Sequence, residues 1–275
     1  MKTQRDKALL LRDLHQGPEV LILPNIWDCA SARVVEEAGF PVIATASASM
    51  SWALGYPDHQ GAPRDEMLYL TRRIVASVQI PVTVDIEAGY GDTVAEVVET
   101  GRGVLAAGAV GVNLEDSDES GALMDMRLQV EKIAALRALG DSEGVPLVIN
   151  ARTDAFHPGT LAPDQQFAEA VRRLNAYQAA GADCLFAPFV MDAPTIAALI
   201  QSVNGPLNIL LLPGMPSIPE LEALGVRRVS TGPVLFLGAM TKARNMMEHL
   251  REDGAFSMAY ADLISYPEMN GLMMR

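Results

Sequence analysis

The sequence predicts an α/β protein, a (β/α)8 TIM barrel with an N-terminal helix and a C-terminal helical extension. Short apolar segments alternate with helical ones along the 275 residues, the pattern of a parallel sheet covered by helices. Eight such strand–helix units are recognisable, which is enough to close a barrel. An open doubly wound sheet is the alternative. It is disfavoured because no Gly-x-Gly-x-x-Gly segment follows any predicted strand.

Glycine and proline delimit most of these elements. Helical stretches end in Ala-Gly or Leu-Gly, where glycine accepts the left-handed conformation that ends a helix. Three strands instead follow a proline. The predicted strands are 20–23, 41–45, 81–86, 110–115, 146–151, 183–187, 207–212 and 227–231, and the predicted helices include 4–15, 93–107, 127–139, 165–179, 193–202 and 234–250.

Composition and charge disfavour several classes of protein. The chain is 49% hydrophobic and 20% charged, with a net charge of −13. Nucleic acids and anionic membranes bind basic surfaces, so we expect neither as a partner. There is no apolar run long enough to span a membrane, no signal peptide, and no disulfide or metal spacing of the two cysteines. We therefore predict a cytoplasmic protein with a single domain over residues 1–275.

The segment 81–92 carries the first candidate site, because a strand rich in β-branched residues runs directly into acid and glycine. Alternate residues of a strand share a face, so Asp85 and Glu87 point to the same side. Burying two carboxylates is costly, and a divalent cation such as Mg2+ would offset that cost. Gly89 and Gly91 then give a flexible loop beside the acids. The segment predicts the metal site of an enzyme.

Polar residues also follow the other predicted strands, whereas the opposite strand ends carry proline, alanine and glycine. In a barrel, the chemistry lies at the carboxyl ends of the strands. Glu115 adds a third acid, and Arg152 offers a planar fork that matches a carboxylate. The small residues at 45–49 let backbone N–H groups approach an anion. This combination suits a 2-oxo acid whose enolate is stabilised by the metal.

These motifs resemble the isocitrate lyase/phosphoenolpyruvate mutase superfamily. The resemblance rests on segments 23–33, 54–58, 85–91, 113–116 and 150–156, which read LPNIWDCASAR, LGYPD, DIEAGYG, NLED and NARTDAF. It implies that Asp85 is the direct Mg2+ ligand, with Mn2+ as an alternative ion. It also implies that Glu87 and Glu115 hold metal-bound waters and that Asp58 lies near those waters.

The resemblance implies a substrate site as well. Ser47 and Ala48, with Thr45 nearby, correspond to the loop whose backbone binds the substrate carboxylate or oxo oxygen. Arg152 corresponds to the residue that binds the carboxylate, and Asn208 faces the ligand. The predicted catalytic residues are thus Arg152 and Asp58, the substrate-binding residues Thr45, Ser47, Ala48, Asp85, Arg152 and Asn208, and the metal-binding residues Asp85, Glu87 and Glu115.

The segment 116–124 departs from the family pattern. Isocitrate and methylisocitrate lyases carry a Lys-Cys-Gly-His stretch there whose cysteine is the catalytic acid, but this segment is short and has neither cysteine nor histidine. The gating loop of the mutases is missing too, and Pro188 stands where they have a histidine. We therefore predict a Mg2+-dependent lyase that cleaves a C–C bond of a small 2-oxo or 2-hydroxy carboxylate through an enolate. The alternatives are phosphonate P–C bond chemistry, oxaloacetate decarboxylation or hydrolysis, or a 2-oxo acid binding protein with little turnover.

Several residues also have plainer interpretations. Asp85 and Glu87 could be a solvated strand end, and Arg152 could pair with these acids as structure only. The four histidines show no ligand spacing and are interpreted as surface or packing residues. Residues 256–275 are apolar and rich in methionine, so we expect this extension to pack on a neighbouring subunit in a homodimer or homotetramer.

Overall fold

The computed structural model describes residues 2–118, 120–254 and 263–274. Within these residues, strands and helices alternate as the sequence predicts. The strands are β1 (Leu21–Leu23), β2 (Asn25–Ile26), β3 (Ile43–Thr45), β4 (Val82–Asp85), β5 (Gly111–Glu115), β6 (Val148–Arg152), β7 (Cys184–Phe186), β8 (Leu207–Leu210) and β9 (Arg228–Ser230), and the helices are α1 (Gln4–Leu14), α2 (Cys29–Glu37), α3 (Ser47–Leu54), α4 (Arg64–Ser77), α5 (Val94–Ala106), α6 (Met126–Ser142), α7 (Pro163–Ala179), α8 (Ala193–Ser202), α9 (Ile218–Leu224), α10 (Val234–Asp253) and α11 (Tyr266–Met273).

The strands form one parallel sheet in the order β1-β9-β8-β7-β6-β5-β4-β3-β2. β1 and β2 are two halves of one strand, interrupted at Pro24, which has no N–H to donate to the ladder. The first half pairs with β9 and the second with β3. The Pro24 carbonyl still accepts a hydrogen bond from the Ala44 N–H at 3.1 Å. The predicted (β/α)8 barrel is therefore confirmed, with the first predicted strand divided in two.

The two ends of the barrel differ because α1 covers only one of them. Ala8 and Leu11 of this helix pack against Leu21, Val42 and Val148 in a buried apolar cluster. Larger apolar clusters lie between the strands and the surrounding helices. The amino ends of the strands are thus closed by hydrophobic side chains, and the carboxyl ends are left for polar residues.

Segment 45–49 differs from its prediction as a loop. Thr45 ends β3, and Ser47 already begins α3, with Ala46 in the extended N-cap position. Small residues allow the chain to turn directly from strand to helix at this point. The backbone N–H groups of Ser47 and Ala48 therefore belong to a helix N-terminus, which favours anions.

The carboxyl-terminal helices leave much apolar surface exposed. Val234, Leu237 and Met247 of α10 are each about half exposed. α11 contacts α2, where the Arg33 Nε donates to the Leu272 carbonyl at 2.7 Å. The predicted extension 256–275 lies partly outside the described residues, and its packing on a neighbouring subunit stays a prediction. None of the described helices is long and apolar enough to cross a membrane.

Candidate active site

A cavity of ≈ 240 Å³ opens at the carboxyl ends of the strands. Its polar lining comes from strand ends and from the loops that follow them. Seven residues predicted from the sequence line it: Thr45, Ser47, Ala48, Asp58, Asp85, Arg152 and Asn208. The structure therefore brings these residues together, and Glu87 and Glu115 lie buried beside the cavity without lining it.

Asp85, at the end of β4, is held by neighbouring strands and by α3. Its Oδ2 accepts from the Ser47 hydroxyl at 2.7 Å and lies 3.3 Å from the Ser47 backbone N. Its Oδ1 accepts from Asn113 Nδ2 at 2.9 Å, and Asn150 in turn donates to Asn113 at 2.8 Å. The backbone N–H of Asp85 donates to Thr45 Oγ1 at 2.9 Å. This carboxylate is fixed in position before any ligand binds.

Glu87 lies on the loop after β4, where its backbone adopts φ 50°. Its Oε1 accepts from the Tyr90 hydroxyl at 2.8 Å and its Oε2 from the Gln60 backbone N–H at 2.5 Å. Burial and, to a smaller extent, the nearby Asp85 charge raise the pKa of Glu87 to about 7. A cation beside these two carboxylates would relieve their repulsion.

Lys132 of α6 secures the same loop from behind. Its ammonium group donates to the carbonyls of Ala88 at 3.2 Å and Gly91 at 3.3 Å. Burial lowers the pKa of Lys132. The residue ties the loop that carries Glu87 to the helical layer of the barrel.

Arg152 already contacts two acids of this chain. Its Nε and one terminal nitrogen bind Asp154 at 2.7 and 3.1 Å, and its other terminal nitrogen lies 2.7 Å from Glu115 Oε2. Burial raises the pKa of Glu115 well above its usual range although Arg152 acts in the opposite direction. Arg152 therefore pairs with neighbouring acids, as the plainer interpretation expects.

A buried hydrogen-bond network around Asp116 holds Asp154, which in turn binds Arg152. Asp116 accepts hydrogen bonds from the Tyr177 hydroxyl at 2.6 Å, from Arg173 at 3.1 Å and from the Asp154 backbone N–H at 2.9 Å. In the sequence, Asp116 was recognised only as the last residue of the NLED motif. The structure gives it the role of positioning Asp154, and through it Arg152.

The acids do not form a ready-made shell of direct metal ligands. In residues 2–118, 120–254 and 263–274, no three His, Cys, Asp or Glu side chains lie close enough together to hold one ion. Glu115 is turned toward Arg152, and Glu87 toward Tyr90 and Gln60. Asp85 and Asp58 are the two carboxylates that line the cavity.

Sequence reasoning missed several lining residues. His59 and His157 line the cavity, although the histidines were interpreted as surface or packing residues. His59 follows Asp58 by one residue, and His157 follows Asp154 by three. Their closeness to these motif acids was the signal that the sequence offered. Arg228 also lines the cavity from inside the barrel, and an arginine within an apolar strand was its only signal.

The segment 116–124 is short and folded back on itself. Ser117 and Leu123 form an antiparallel bridge, and the Met124 N–H donates to the Asp116 carbonyl at 2.8 Å. Asp118 caps the turn by accepting from the Ser120 and Ala122 backbone N–H groups. The described part of this segment brings no cysteine or histidine to the cavity, in agreement with the sequence.

The fold and the site define a barrel protein whose polar, acid-lined cavity lies at the carboxyl ends of the strands. Residues 11–251 match the family model described as phosphoenolpyruvate phosphomutase. The chain belongs to this family, and the resemblance found in the sequence motifs is confirmed.

Individual relatives cover most of the chain. An uncharacterized protein of Mycobacterium tuberculosis is 32% identical over 253 residues, covering 91% of this chain and 93% of that protein. An oxaloacetate decarboxylase of Rhodopseudomonas palustris is 31% identical over 233 residues, covering 82% and 77%. A solved structure from Burkholderia cenocepacia, provisionally named a phosphonomutase, is 40% identical with a TM-score of 0.84, covering 88% of this chain and 99% of that one.

Proposed function

We propose that this protein is a Mg2+-dependent lyase that cleaves a C–C bond of a small 2-oxo or 2-hydroxy carboxylate through an enolate. The observation that carries the proposal is the fixed carboxylate of Asp85 in a cavity shared with Asp58 and the N-terminus of α3. Membership of a family whose relatives act on small carboxylates supports it.

The residues fit a hydrated Mg2+ ion. Their donor set consists of oxygen atoms, which Mg2+ prefers, and Mg2+ usually keeps several of its waters. Asp85 would be the direct ligand, and Glu87 and Glu115, which are both bonded to protein groups, would act through water. When bound, the ion would polarise the 2-oxo group of the substrate.

The protein's own groups would orient the substrate. The helix N-terminus at Ser47 and Ala48 favours a carboxylate or an oxyanion. Arg152 supplies a cation at the rim, held in place by Asp154. Trp52 and Phe186 line the cavity as apolar walls that limit access of water. An enolate formed there would be stabilised electrostatically.

A proton donor for the enolate is available although the family cysteine is absent. His157 lines the cavity, its Nδ1 lies 3.2 Å from the Pro158 carbonyl, and its ring packs edge-on against Phe189 at 4.8 Å. Because a carbonyl only accepts, Nδ1 donates to it, and Nε2 would pass a proton to the enolate from the imidazolium form of the ring. His157 would take the role that the loop cysteine has in the lyases.

The second candidate is phosphonate P–C bond chemistry. It is favoured by the 40% identity to the Burkholderia cenocepacia protein named provisionally as a phosphonomutase. Both activities would use an enolate of a 2-oxo acid, so the products decide between them.

A product assay tests the proposal. Purified protein with Mg2+ is offered oxaloacetate, 4-hydroxy-2-oxoglutarate, 2-methylisocitrate and phosphonopyruvate, and pyruvate, glyoxylate, oxalate and phosphate are measured. We expect Mg2+-dependent cleavage of one carboxylate, lost with EDTA. Turnover of phosphonopyruvate alone would favour the second candidate, and turnover unaffected by EDTA would contradict the metal-dependent mechanism.

A further inference from the structure

The active-site cavity extends below the acids into the interior of the barrel. Thr83, Asn150, Asn208 and Arg228 line this lower part, which we call the barrel floor. Thr83 packs closely against Gly111 of the neighbouring strand, where an added Cβ would lie only 2.8 Å from Thr83 Oγ1. A barrel interior is normally filled with bulky aliphatic side chains, so a polar floor is unusual.

Each residue of the barrel floor has a buried polar atom without a partner. Within the described residues, Thr83 Oγ1, Asn150 Oδ1, Asn208 Oδ1 and Arg228 Nε accept or donate no hydrogen bond. Buried polar atoms are almost always paired, because an unpaired one loses its hydration with nothing in return. Four such atoms around one cavity point to a polar ligand.

The charge of the barrel floor is positive. Arg228 is 2% exposed, and one of its terminal nitrogens lies 3.4 Å from His15 Nε2. His15 is neutral there, since its Nδ1 must donate to the Leu11 carbonyl at 2.7 Å and its Nε2 is then an acceptor. No carboxylate in the described part of the chain forms a salt bridge with Arg228. Arg152, by contrast, is already bound to two acids.

We propose that Arg228 and Asn208 form an anion subsite on the barrel floor, which binds a second carboxylate of the substrate. The inference rests on the proposed function, because the first carboxylate and the 2-oxo group would occupy the upper layer beside Asp85. Arg228 lies two residues below Ser230 at the strand end, a depth of about 6.6 Å, which a chain of four or five carbon atoms covers.

The Asn208 amide can serve such an anion. Asn208 Nδ2 donates to the Ser230 hydroxyl at 3.3 Å. Because amide oxygen and nitrogen are assigned from the hydrogen-bond pattern, the reversed amide satisfies Ser230 through its oxygen and turns Nδ2 toward Arg228. The subsite would then offer an arginine fork and an amide donor, a combination suited to a carboxylate. Buried water would satisfy the same atoms but would not distinguish substrates by a second charge.

The test compares ligands that differ only in the second carboxylate. Dissociation constants are measured by calorimetry with Mg2+ for 2-oxoglutarate against 2-oxobutyrate and for oxaloacetate against pyruvate, with oxalate as a ligand too short to reach the barrel floor. We expect the wild-type protein to bind at least one dicarboxylate about 10- to 100-fold more tightly than its partner, the range of a hydrogen-bonded charge. A ratio near one for both pairs would overturn the proposal, and buried water would then be the occupant.

Variants locate the effect. Arg228→Met should bring the ratio close to one while the affinity for oxalate changes less than about twofold. Arg227→Met is the matched control: Arg227 directly precedes the same strand but bonds to the carbonyls of Gly17 and Pro18 outside the cavity. If Arg228→Met does not fold, Asn208→Leu, which keeps the branched shape and removes the amide, tests the same subsite. A wild-type ratio retained in the variant that folds would overturn the assignment.

The oxalate measurement separates this inference from the proposed function. Wild-type protein that does not bind oxalate with Mg2+ would contradict the metal site while the paired ligands still report on the barrel floor. Oxalate binding without any preference for dicarboxylates would leave the proposed function intact and remove the anion subsite.

Discussion

Gly89 is the residue whose backbone most clearly determines the position of the candidate metal site. It has φ +107°, and a Cβ added there would lie 2.6 Å from Val97 Cγ2 of α5. Two residues earlier, Glu87 itself adopts a positive φ, as do Tyr90, Gln60 and His59. Positive φ values of non-glycine residues cost energy and occur often at functional sites. The strained residues here surround one carboxylate.

We predict that Gly89→Ala lowers the free energy of unfolding by more than the cost of placing alanine at a positive φ. The overpacking against Val97 should add about 1–3 kcal/mol to the free energy lost, and metal-dependent ligand binding should weaken because the loop carrying Glu87 is displaced. Denaturant unfolding and calorimetry measure the two effects.

Gly159→Ala is the control for this substitution. Gly159 has φ +88° with nothing within 4 Å of an added Cβ, so this variant has the conformational cost without the clash. Adding Val97→Ala to Gly89→Ala should recover ligand binding. Equal destabilisation of Gly89→Ala and Gly159→Ala would show that the contact with Val97 is unimportant.

At the scale of the element, α1 closes the amino end of the barrel and carries a buried histidine at its C-terminus. Burial, and secondarily the charge of Arg228, lowers the pKa of His15 to about 3. In the unfolded chain the imidazole takes up a proton near its ordinary pKa, whereas the folded protein excludes that proton until the pH is much lower. The unfolded state therefore binds more protons between about pH 3 and 6.5, so the protein becomes less stable as the pH is lowered through this range.

We predict that His15→Gln flattens this pH dependence. Between pH 6.5 and 5 the wild-type protein should lose about 2 kcal/mol of stability relative to the variant, measured by urea unfolding at each pH. His59→Gln is the matched histidine substitution at an exposed position outside α1. Parallel pH profiles for the wild-type protein and His15→Gln would mean that the folded protein protonates His15 over the same pH range as the unfolded chain.

At the scale of the whole molecule, the barrel could be predicted because strand–helix alternation repeats eight times and glycine or proline marks most boundaries. The division of the first strand could not, since it depends on Pro24 pairing with two different neighbours around the closed sheet. Asp85 and Arg152 were found because acid or arginine directly follows an apolar strand. Arg228 and His157 were missed as site residues because only the closed barrel brings them to the cavity.

The oligomeric state is a prediction at this same scale. Removing residues 256–275 should convert the protein to a smaller species in sedimentation velocity, because α11 exposes Tyr266 and Met273. A second copy would cover such apolar side chains. Leu272→Ala is the control, since Leu272 is buried and its backbone contacts Arg33 within the chain. If the truncated protein keeps the same oligomeric state, the extension is not part of the interface.

Binding of oxalate, with and without Mg2+, is the measurement that tests the central claim most directly. Calorimetry on the wild-type protein should show binding with Mg2+ that is lost in EDTA. Asp85→Asn, which keeps the size of the side chain but removes its charge, should bind oxalate at least about tenfold more weakly while unfolding at a similar denaturant concentration. Oxalate binding of equal strength in EDTA, or in Asp85→Asn, would contradict a metal site built on Asp85.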